Sequence, residues 1–217
     1  MLNRFFSAQE MEIPMIRVWS VLIVVLVYLP AAGAADGDNK LSNGTFDLDV
    51  AGWTPVQDTT LVWDPMDADG DPSSGAAIVT TTADQHSTTA ADQCSEVLEG
   101  DKEYLLRAMI FIPSMQPAAG WGNLRVVLYP QPNCGGYPVL HLFSSWVYSA
   151  TSDQWLRSTV AITTPPSAQS ALVRLTATKD AGTGYLDVAF DNVSLAYAAI
   201  FVDGFESGDL TQWSSVR

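Results

Sequence analysis

Leu124-Arg125-Val126-Val127-Leu128-Tyr129 is a run in which apolar side chains recur at every second position. This period of two is typical of a β-strand that packs one face against a core. We therefore expect the first, third and fifth residues to face inward. Arg125, Val127 and Tyr129 then lie on the opposite face of the strand.

Similar runs of strand-favouring residues continue along the chain, and turn-forming Gly, Pro, Asp and Ser residues separate them. The runs are 76–82, 104–112, 124–129, 139–147, 156–163, 170–178 and 185–195. No stretch has the spacing of an amphipathic helix. About eight short strands in a chain of this length predict an all-β fold, a two-sheet antiparallel β-sandwich.

The same alternation in the last run, residues 185–195, predicts which side chains face the core. Leu186, Val188 and Phe190 are expected to point inward. Asp187 and Asp191 then lie on the outer face of their sheet.

The amino-terminal residues 1–34 have the pattern of a secretory signal peptide. Arg17 precedes the apolar run 18–29, and small residues follow as far as Ala35. This run is shorter than the roughly 20 residues that span a bilayer, so we expect cleavage after Ala34 and no membrane span after processing. An uncleaved anchor is the alternative, and Met15 is a candidate for the true start. The processed protein is expected to be secreted to the periplasm, the extracellular space or the cell surface.

Composition limits the classes of function. The 217 residues carry 24 Asp and Glu against 10 Lys and Arg, which gives a formal net charge of −14. Removing residues 1–34 leaves this charge unchanged, because equal numbers of Arg and Glu are lost. Nucleic-acid binders need clustered basic residues, so that class is excluded. The apolar fraction of 47% is too high for a disordered chain.

Cys94 and Cys134 are the only cysteines in the sequence. In an oxidising compartment, two cysteines about 40 residues apart are expected to form a disulfide rather than remain reactive thiols. Two cysteines and two histidines give no zinc-finger spacing in this chain.

Five short stretches occur along the chain in an informative order. They are Asn43-Gly44-Thr45-Phe46-Asp47 with Gly52-Trp53, Ser74-Gly75-Ala76-Ala77, Gly100-Asp101-Lys102-Glu103-Tyr104, Trp155 before its strand, and Phe190-Asp191-Asn192-Val193-Ser194-Leu195. Together they resemble the CenC-type carbohydrate-binding modules over about residues 40–197. The resemblance implies a jelly roll of the galactose-binding-like class with Trp53 and Trp155 in its core. A shared fold does not by itself give a shared ligand.

The chain is accordingly divided into three parts. Residues 1–34 are the signal peptide, residues 35–197 the β-sandwich and residues 198–217 a short tail. The tail contains Gly204-Phe205-Glu206-Ser207-Gly208-Asp209 and resembles short tails at the ends of secreted Gram-negative bacterial proteins. It is interpreted either as a surface or export tag, or as a frayed tail or the stub of a second module.

Aromatic residues gather in the centre of the domain. They are Trp121, Tyr129, Tyr137, Trp146 and Tyr148. Sugar rings stack their apolar C–H faces on flat aromatic side chains, and their hydroxyls need polar partners. Tyr129 and Arg125 are the leading candidates, because alternation places them outside the core. Trp121 and Tyr137 follow, since they lie on loops flanked by Gly or Pro, and Trp146 completes the predicted ligand-binding set. About half of such aromatics would instead fill the core or close the ends of a sandwich.

The family resemblance also implies one structural calcium ion. It would be held by the side chains of Asp47 and Asp191 and by backbone carbonyls near Gly44, and would join the two ends of the domain. In the alternative, both aspartates cap turns or pair with arginines. The acidic run 64–71 lacks the EF-hand spacing, because Ala76 stands where a Glu is required, and we interpret it as a surface turn.

The sequence contains no recognisable catalytic constellation. His86 lies in a polar loop and His141 in an apolar run, and no nucleophile motif accompanies either of them. Glu96, Glu99 and Glu103 crowd one segment instead of facing each other across a cleft. We therefore predict a secreted protein that is not an enzyme and binds a polysaccharide or glycoconjugate through a sheet face. The net charge favours a neutral glycan. A structural or adhesion module that contacts a protein or cell-surface partner is the alternative.

Overall fold

The computed structural model of the protein describes residues 39–57, 59–83, 89–95, 98–151 and 153–198. Its strands are β1 Thr54–Val56, β2 Thr59–Asp64, β3 Ala76–Thr81, β4 Thr89–Ser95, β5 Glu103–Phe111, β6 Gly120–Tyr129, β7 Leu140–Phe143, β8 Val147–Tyr148, β9 Leu156–Thr163, β10 Ser170–Lys179 and β11 Leu186–Tyr197. A single 3₁₀ turn, Ser149–Thr151, completes the regular elements of these ranges. None of the described segments forms a helix that is long and apolar enough to cross a membrane. The predicted signal peptide, the tail beyond residue 198, and His86 lie outside the described residues.

The strands form two antiparallel sheets. Sheet A has the order β1-β4-β10-β6-β7, with β8 also paired to β6, and sheet B has the order β2-β3-β11-β5-β9. Their inner faces contribute to one hydrophobic cluster, so the predicted all-β sandwich is confirmed. The centre of sheet A is β10 and the centre of sheet B is β11.

Alternation along β6 places side chains as its sequence predicts. Leu124, Val126 and Leu128 are fully buried in the core. Arg125 and Tyr129 point to the other side and are only partly buried. The surface of sheet A therefore carries the polar residues of β6.

Aromatic residues contribute to the core at one corner of the sandwich. The rings of Phe46 and Trp53 are buried and lie 5.8 Å apart between centroids, so Trp53 is in the core as predicted. Trp155 differs from the expectation, because it is only partly buried. It packs against Phe111, 5.4 Å away between centroids, on the outer side of sheet B. The reason is its position, since Trp155 immediately precedes the edge strand β9, where the core ends.

Candidate functional site

The side of sheet A that faces away from the core is the candidate site, and we call it the sheet A face. It consists of the outward residues of β4, β10 and β6, together with β7 and β8. Residues paired across neighbouring strands point to the same side of a sheet, so they form rows. Two rows define this face: Thr178–Trp121–Tyr148 near one end and Asp92–Arg174–Arg125–Phe143 in the middle.

Three aromatic rings meet at one end of the sheet A face and form what we call the aromatic cluster. Trp121 stacks on Trp146 with ring centroids 5.4 Å apart and planes 8° from parallel. Tyr148 is tilted against both indoles, at 6.1 Å from each. Trp146 and Tyr148 remain 50% and 46% exposed. The cluster therefore presents flat apolar surface to solvent.

A change of register turns the cluster outward. Five positions separate Phe143 from Tyr148, whereas only four separate their partners Arg125 and Trp121, so one extra residue lies between β7 and β8. Such a bulge reverses which side of the sheet the following residues face. Trp146 and Tyr148 consequently lie on the outer side rather than in the core.

Gly122 brings the strand under the cluster close to sheet B. A Cβ atom at this position would lie 2.5 Å from Cγ1 of Val188. Any larger residue would push this part of β6 away from the core, and with it the neighbouring Trp121. The absence of a side chain at Gly122 therefore helps to set the position of the cluster.

A pair of arginines crosses the middle of the sheet A face. Arg174 of β10 lies directly opposite Arg125 of β6. The carboxylate of Asp92 accepts two hydrogen bonds from Nε and Nη2 of Arg174, each 2.8 Å long. These hydrogen bonds raise the pKa of Arg174, although burial acts in the opposite direction. The charge of Arg174 is therefore balanced within the protein.

Arg125 has a different set of partners. Its Nη2 donates to Nδ1 of His141 at 2.8 Å, so this ring nitrogen must be the acceptor, because a guanidinium can only donate. Its Cζ lies 5.4 Å from the centroid of the Phe143 ring, within cation–π distance. Its Nε atom is buried and has no hydrogen-bond partner. No carboxylate forms an ion pair with Arg125 among the residues that the structure describes.

The disulfide closes the other end of the sheet A face. Cys94 of β4 is bonded to Cys134, which confirms the predicted pair. Cys134 belongs to the loop of residues 130–139 between β6 and β7, so the bond draws this loop back across β10 to β4. Ser170 also anchors the loop, because its Oγ donates to the Gln131 carbonyl at 2.6 Å and accepts from the Cys134 amide at 3.0 Å. The loop therefore forms a fixed boundary to the face.

Four residues of the predicted ligand-binding set share the sheet A face. Trp121 lies within β6 and not on a loop as predicted, because β6 begins at Gly120 and pairs there with β10 and β8. Trp121, Arg125 and Tyr129 therefore follow one another along β6 at intervals of four, and Trp146 joins them by stacking on Trp121. At about 3.4 Å per residue, Trp121 and Tyr129 are roughly 27 Å apart. Tyr137 lies on the disulfide-linked loop and is 92% exposed. The structure thus spreads the predicted set along one strand and the loop at its end.

Further residues of this face are not singled out by the sequence. Tyr148 belongs to the aromatic group in sequence, yet only the two-residue strand β8 pairs it with Trp121. Arg174 could be found by applying to β10 the alternation that identifies Arg125 in β6. Phe143 reaches the arginine only through the register of β7 on β6, which no sequence pattern reveals.

Asp191 lies on the outer side of sheet B and is fully buried. Its carboxylate accepts hydrogen bonds from the amides of Ala68, at 2.9 Å, and Asn192, at 2.6 Å. Burial, with a smaller contribution from the negative charges of Asp67 and Asp69, raises the pKa of Asp191 to about 7, although the two hydrogen bonds oppose this shift. We call Asp67, Asp69 and Asp191 the acidic corner. The turn of residues 65–75 therefore lies against β11 rather than free at the surface.

The two other predicted calcium ligands are held by different partners. Asp47 is exposed and accepts a hydrogen bond from Oγ of Ser74 at 3.2 Å. The Gly44 carbonyl accepts from the amide of Val193 at 2.8 Å. Across the described parts of the chain, no group of three or more His, Cys, Asp or Glu side chains is arranged to hold a metal ion. The carboxylate oxygens of the acidic corner have the chemistry that calcium prefers, but they do not form a complete cage.

Comparison with known proteins identifies a family and a fold. The profile of a family described as HpiC1-like, HpiC1 cyclase, matches residues 32–196. A search of curated protein sequences finds no match. Among solved structures, the C-terminal family 22 carbohydrate-binding module of Clostridium thermocellum Xyn10B has a TM-score of 0.51 at 13% identity, over 74% of this chain and 99% of that one. A putative sugar binding protein from Bacteroides thetaiotaomicron has a TM-score of 0.51 at 12% identity, over 74% and 100% of the two chains.

Longer proteins contain the same fold as one part. A xylanase 10B structure from Clostridium thermocellum, with CBM22-1 and GH10 modules and bound xylohexaose, has a TM-score of 0.52 at 15% identity. The alignment covers 70% of this chain but only 27% of the xylanase chain. Identities this low show the fold alone. They confirm the sandwich of carbohydrate-binding modules, while the CenC type itself is not identified by any of these comparisons.

Proposed function

This chain belongs to the HpiC1-like family, and from its carbohydrate-binding-module fold and its sheet A face we propose that it is a secreted, non-catalytic protein that binds a polysaccharide or glycoconjugate. The observation that carries the proposal is the aromatic cluster beside the arginine row. Exposed indole and phenol rings provide surface for the C–H faces of sugars. Arg125, Tyr129 and the amide groups of the disulfide-linked loop supply polar groups for hydroxyls.

The charge and redox features of the chain support the same proposal. A net charge of −14 repels polyanions, so the main chain of the glycan is neutral. The Cys94–Cys134 disulfide is typical of proteins that act outside the reducing cytosol.

A second candidate function is catalysis of a cyclisation. The family profile over residues 32–196 favours it, because its description names a cyclase. A small apolar substrate would then occupy the aromatic cluster in place of a sugar. A third candidate, an adhesion module, would use the same exposed rings to contact a protein.

We also propose one structural calcium ion with the ligands that the sequence predicts, the side chains of Asp47 and Asp191 and backbone carbonyls near Gly44. The carboxylate of Asp191 is buried, and Asp67 and Asp69 lie close enough for their negative charges to raise its pKa. A bound divalent cation would offset this repulsion and join the two ends of the domain.

Affinity electrophoresis tests the main proposal. The protein is run in gels that contain xylan, β-glucan or galactan, beside the Tyr148→Ala and Tyr185→Ala variants. These tyrosines are 46% and 44% exposed, but Tyr185 precedes β11 of sheet B and has no ring contact with the aromatic cluster. We expect one glycan to retard the wild type, and the loss of the Tyr148 ring to weaken this affinity about tenfold, or about 1.4 kcal/mol. Tyr185→Ala should leave the retardation unchanged.

Three results would contradict the proposal. Unchanged mobility of folded wild-type protein across the panel would exclude glycan binding and favour the cyclase or adhesion candidate. Equal losses in the two variants would place the binding surface elsewhere. Retardation that Tyr148→Ala does not affect would separate glycan binding from the aromatic cluster.

A further inference from the structure

We infer that the sheet A face contains a carboxylate-binding subsite at Arg125, so that the glycan bound there is a neutral chain that carries a uronic-acid substituent. This inference rests on the proposed function and narrows its ligand class. It follows from the unequal surroundings of the two arginines in the middle row.

The middle row contains more positive than negative charge. Arg125 and Arg174 lie directly opposite each other on neighbouring strands, an arrangement that is unfavourable for like charges. Asp92 is the one carboxylate of the row, and both of its oxygens are engaged by Arg174. One positive charge, that of Arg125, is left without an anion in the described part of the chain. A local excess of this kind contrasts with the net charge of −14 of the whole protein.

The guanidinium of Arg125 is held in position by two neighbouring rings, but not all of its N–H groups have hydrogen-bond acceptors. Phe143 supports its guanidinium from one side, and His141 accepts one of its five N–H groups. The buried Nε–H has no acceptor, which is an unfavourable state for a charged donor. A small rotation of this partly exposed side chain would present Nε and a terminal nitrogen together, which is the fork that binds a carboxylate through two parallel hydrogen bonds.

A second unused polar group lies on the same face. Oγ1 of Thr176 is buried, the residue being only 3% exposed, and it has no hydrogen-bond partner. Thr176 is two residues along β10 from Arg174, so both side chains point to the same side of sheet A. Buried hydroxyls are normally paired, so the fold leaves a second hydrogen-bonding group unused on the same side of sheet A as Arg125.

The aromatic cluster determines what kind of carboxylate fits. Trp121 lies four residues from Arg125 along β6, which corresponds to about 14 Å. A carboxylate at Arg125 and a sugar ring on the cluster therefore belong to different units of one oligosaccharide. Polyanions with a carboxylate on every unit are disfavoured by the overall charge, whereas an occasional uronic acid on a neutral chain satisfies both parts of the face.

The test compares glucuronoxylan with the same polymer after chemical reduction of its carboxyl groups. Affinity electrophoresis is run at about 0.15 M salt, where the Debye length of about 8 Å suppresses long-range repulsion. We expect the wild type to bind glucuronoxylan about tenfold more tightly than the reduced polymer. Arg125→Gln should abolish this difference, because a glutamine amide cannot bind a carboxylate as the charged fork of a guanidinium does. Arg157→Gln, which changes an exposed arginine of β9 in sheet B, should preserve the difference.

Competition identifies the source of the carboxylate. Free glucuronic acid should displace the protein from glucuronoxylan, and acetate at the same concentration should not. Equal binding of the wild type to both polymers, or a preference that survives Arg125→Gln, would overturn the inference and leave the proposed function intact. Failure to bind either polymer, with no retardation in the neutral panel, would overturn both. Unfolding curves of each variant establish that the compared proteins are folded.

Discussion

The sheet A face and the acidic corner of sheet B differ in whether their buried polar atoms have hydrogen-bond partners. The carboxylate of Asp191 is fully buried, yet two backbone amides donate to it. Among the described residues, the buried side-chain atoms without a hydrogen-bond partner are Oγ of Ser95, Nε of Arg125 and Oγ1 of Thr176. Arg125 and Thr176 lie on the sheet A face, whereas Ser95 is paired with the core residue Ala171 and lies on the inner side of the same sheet. An unpaired buried polar group costs about 1–3 kcal/mol. Sheet A therefore retains hydrogen-bonding capacity that the fold does not use.

This difference separates a surface suited to a ligand from a corner suited to structure. The polar groups of the acidic corner hold a turn against β11, so their chemistry serves the fold. Those of the sheet A face include two buried atoms without partners, and exposed aromatic rings and a disulfide-linked loop border them. The predictions below change one region and leave the other as a control.

The largest effect is expected from removing the disulfide at the end of the sheet A face. Replacing both Cys94 and Cys134 by Ala removes a cross-link between positions 40 residues apart. The free energy of unfolding should fall by about 4 kcal/mol, because the unfolded chain gains conformational freedom. Denaturant unfolding of the wild type and of the double variant measures the change.

The same variant also tests the boundary of the sheet A face. Release of the loop of residues 130–139 should weaken glycan binding, while the stabilising effect of calcium on sheet B should persist. A double variant as stable as the wild type would show that hydrogen bonds, including those of Ser170, fix the loop without the disulfide.

Calcium tests the acidic corner with a somewhat smaller effect. At about 100 times its dissociation constant, calcium should raise the free energy of unfolding by about 2.7 kcal/mol. Asp191→Ala should abolish this gain, whereas Asp180→Ala, at an exposed position after β10, should retain it. Thermal unfolding in calcium and in chelator gives the comparison. Coincident curves for the wild type would refute the calcium proposal.

Two buried threonines allow a hydrogen-bonded hydroxyl to be compared directly with one that has no partner. Thr164 and Thr176 are 2% and 3% exposed. Oγ1 of Thr164 donates to the Glu99 carbonyl at 2.7 Å and accepts from the Lys102 amide at 2.9 Å, whereas Oγ1 of Thr176 has no partner. Thr164→Val should therefore destabilise the fold by about 1–3 kcal/mol, and Thr176→Val should leave it unchanged or stabilise it by up to about 1 kcal/mol.

Chemical denaturation of the two valine variants provides the measurement. The substitution is the same in both, so side-chain volume and hydrophobicity cancel from the comparison. If Thr176→Val were the more destabilising variant, its hydroxyl would have a partner in solution, and the sheet A face would lose one of its unused groups.

The sequence predicts the strands whose side chains alternate or favour β structure strongly. The predicted runs 124–129, 156–163 and 170–178 lie within β6, β9 and β10, and the run 185–195 begins one residue before β11 and ends two residues before it does. The strands β1, β2 and β4 are not predicted. Thr89–Ser95 contains Ala, Asp and Gln, which do not favour strands, and it is extended because β1 and β10 pair with both of its edges.

The candidate site could be predicted only in part, because some of its residues are placed by pairing between strands and not by local sequence. Alternation within β6 is a local property, so it correctly placed Arg125 and Tyr129 on the outer side. The bulge between β7 and β8 depends on pairing with β6, so the run 139–147 gave one predicted strand where the structure has two. That pairing places Trp146 and Tyr148 on the outer side and brings Phe143 into contact with Arg125. No pattern in the sequence indicates either arrangement.

The order of strands along the chain has a consequence for synthesis of the protein on the ribosome. The centres of the two sheets, Ser170–Lys179 and Leu186–Tyr197, are the last strands to be translated. Until they emerge, β4 and β6 lack the strand that joins them, as do β3 and β5, and their edges remain unpaired. Folds dominated by such non-local pairs form slowly, in milliseconds to seconds. A nascent chain that ends before residue 170 is therefore expected to expose unpaired strand edges, which are the kind of surface that chaperones protect from aggregation.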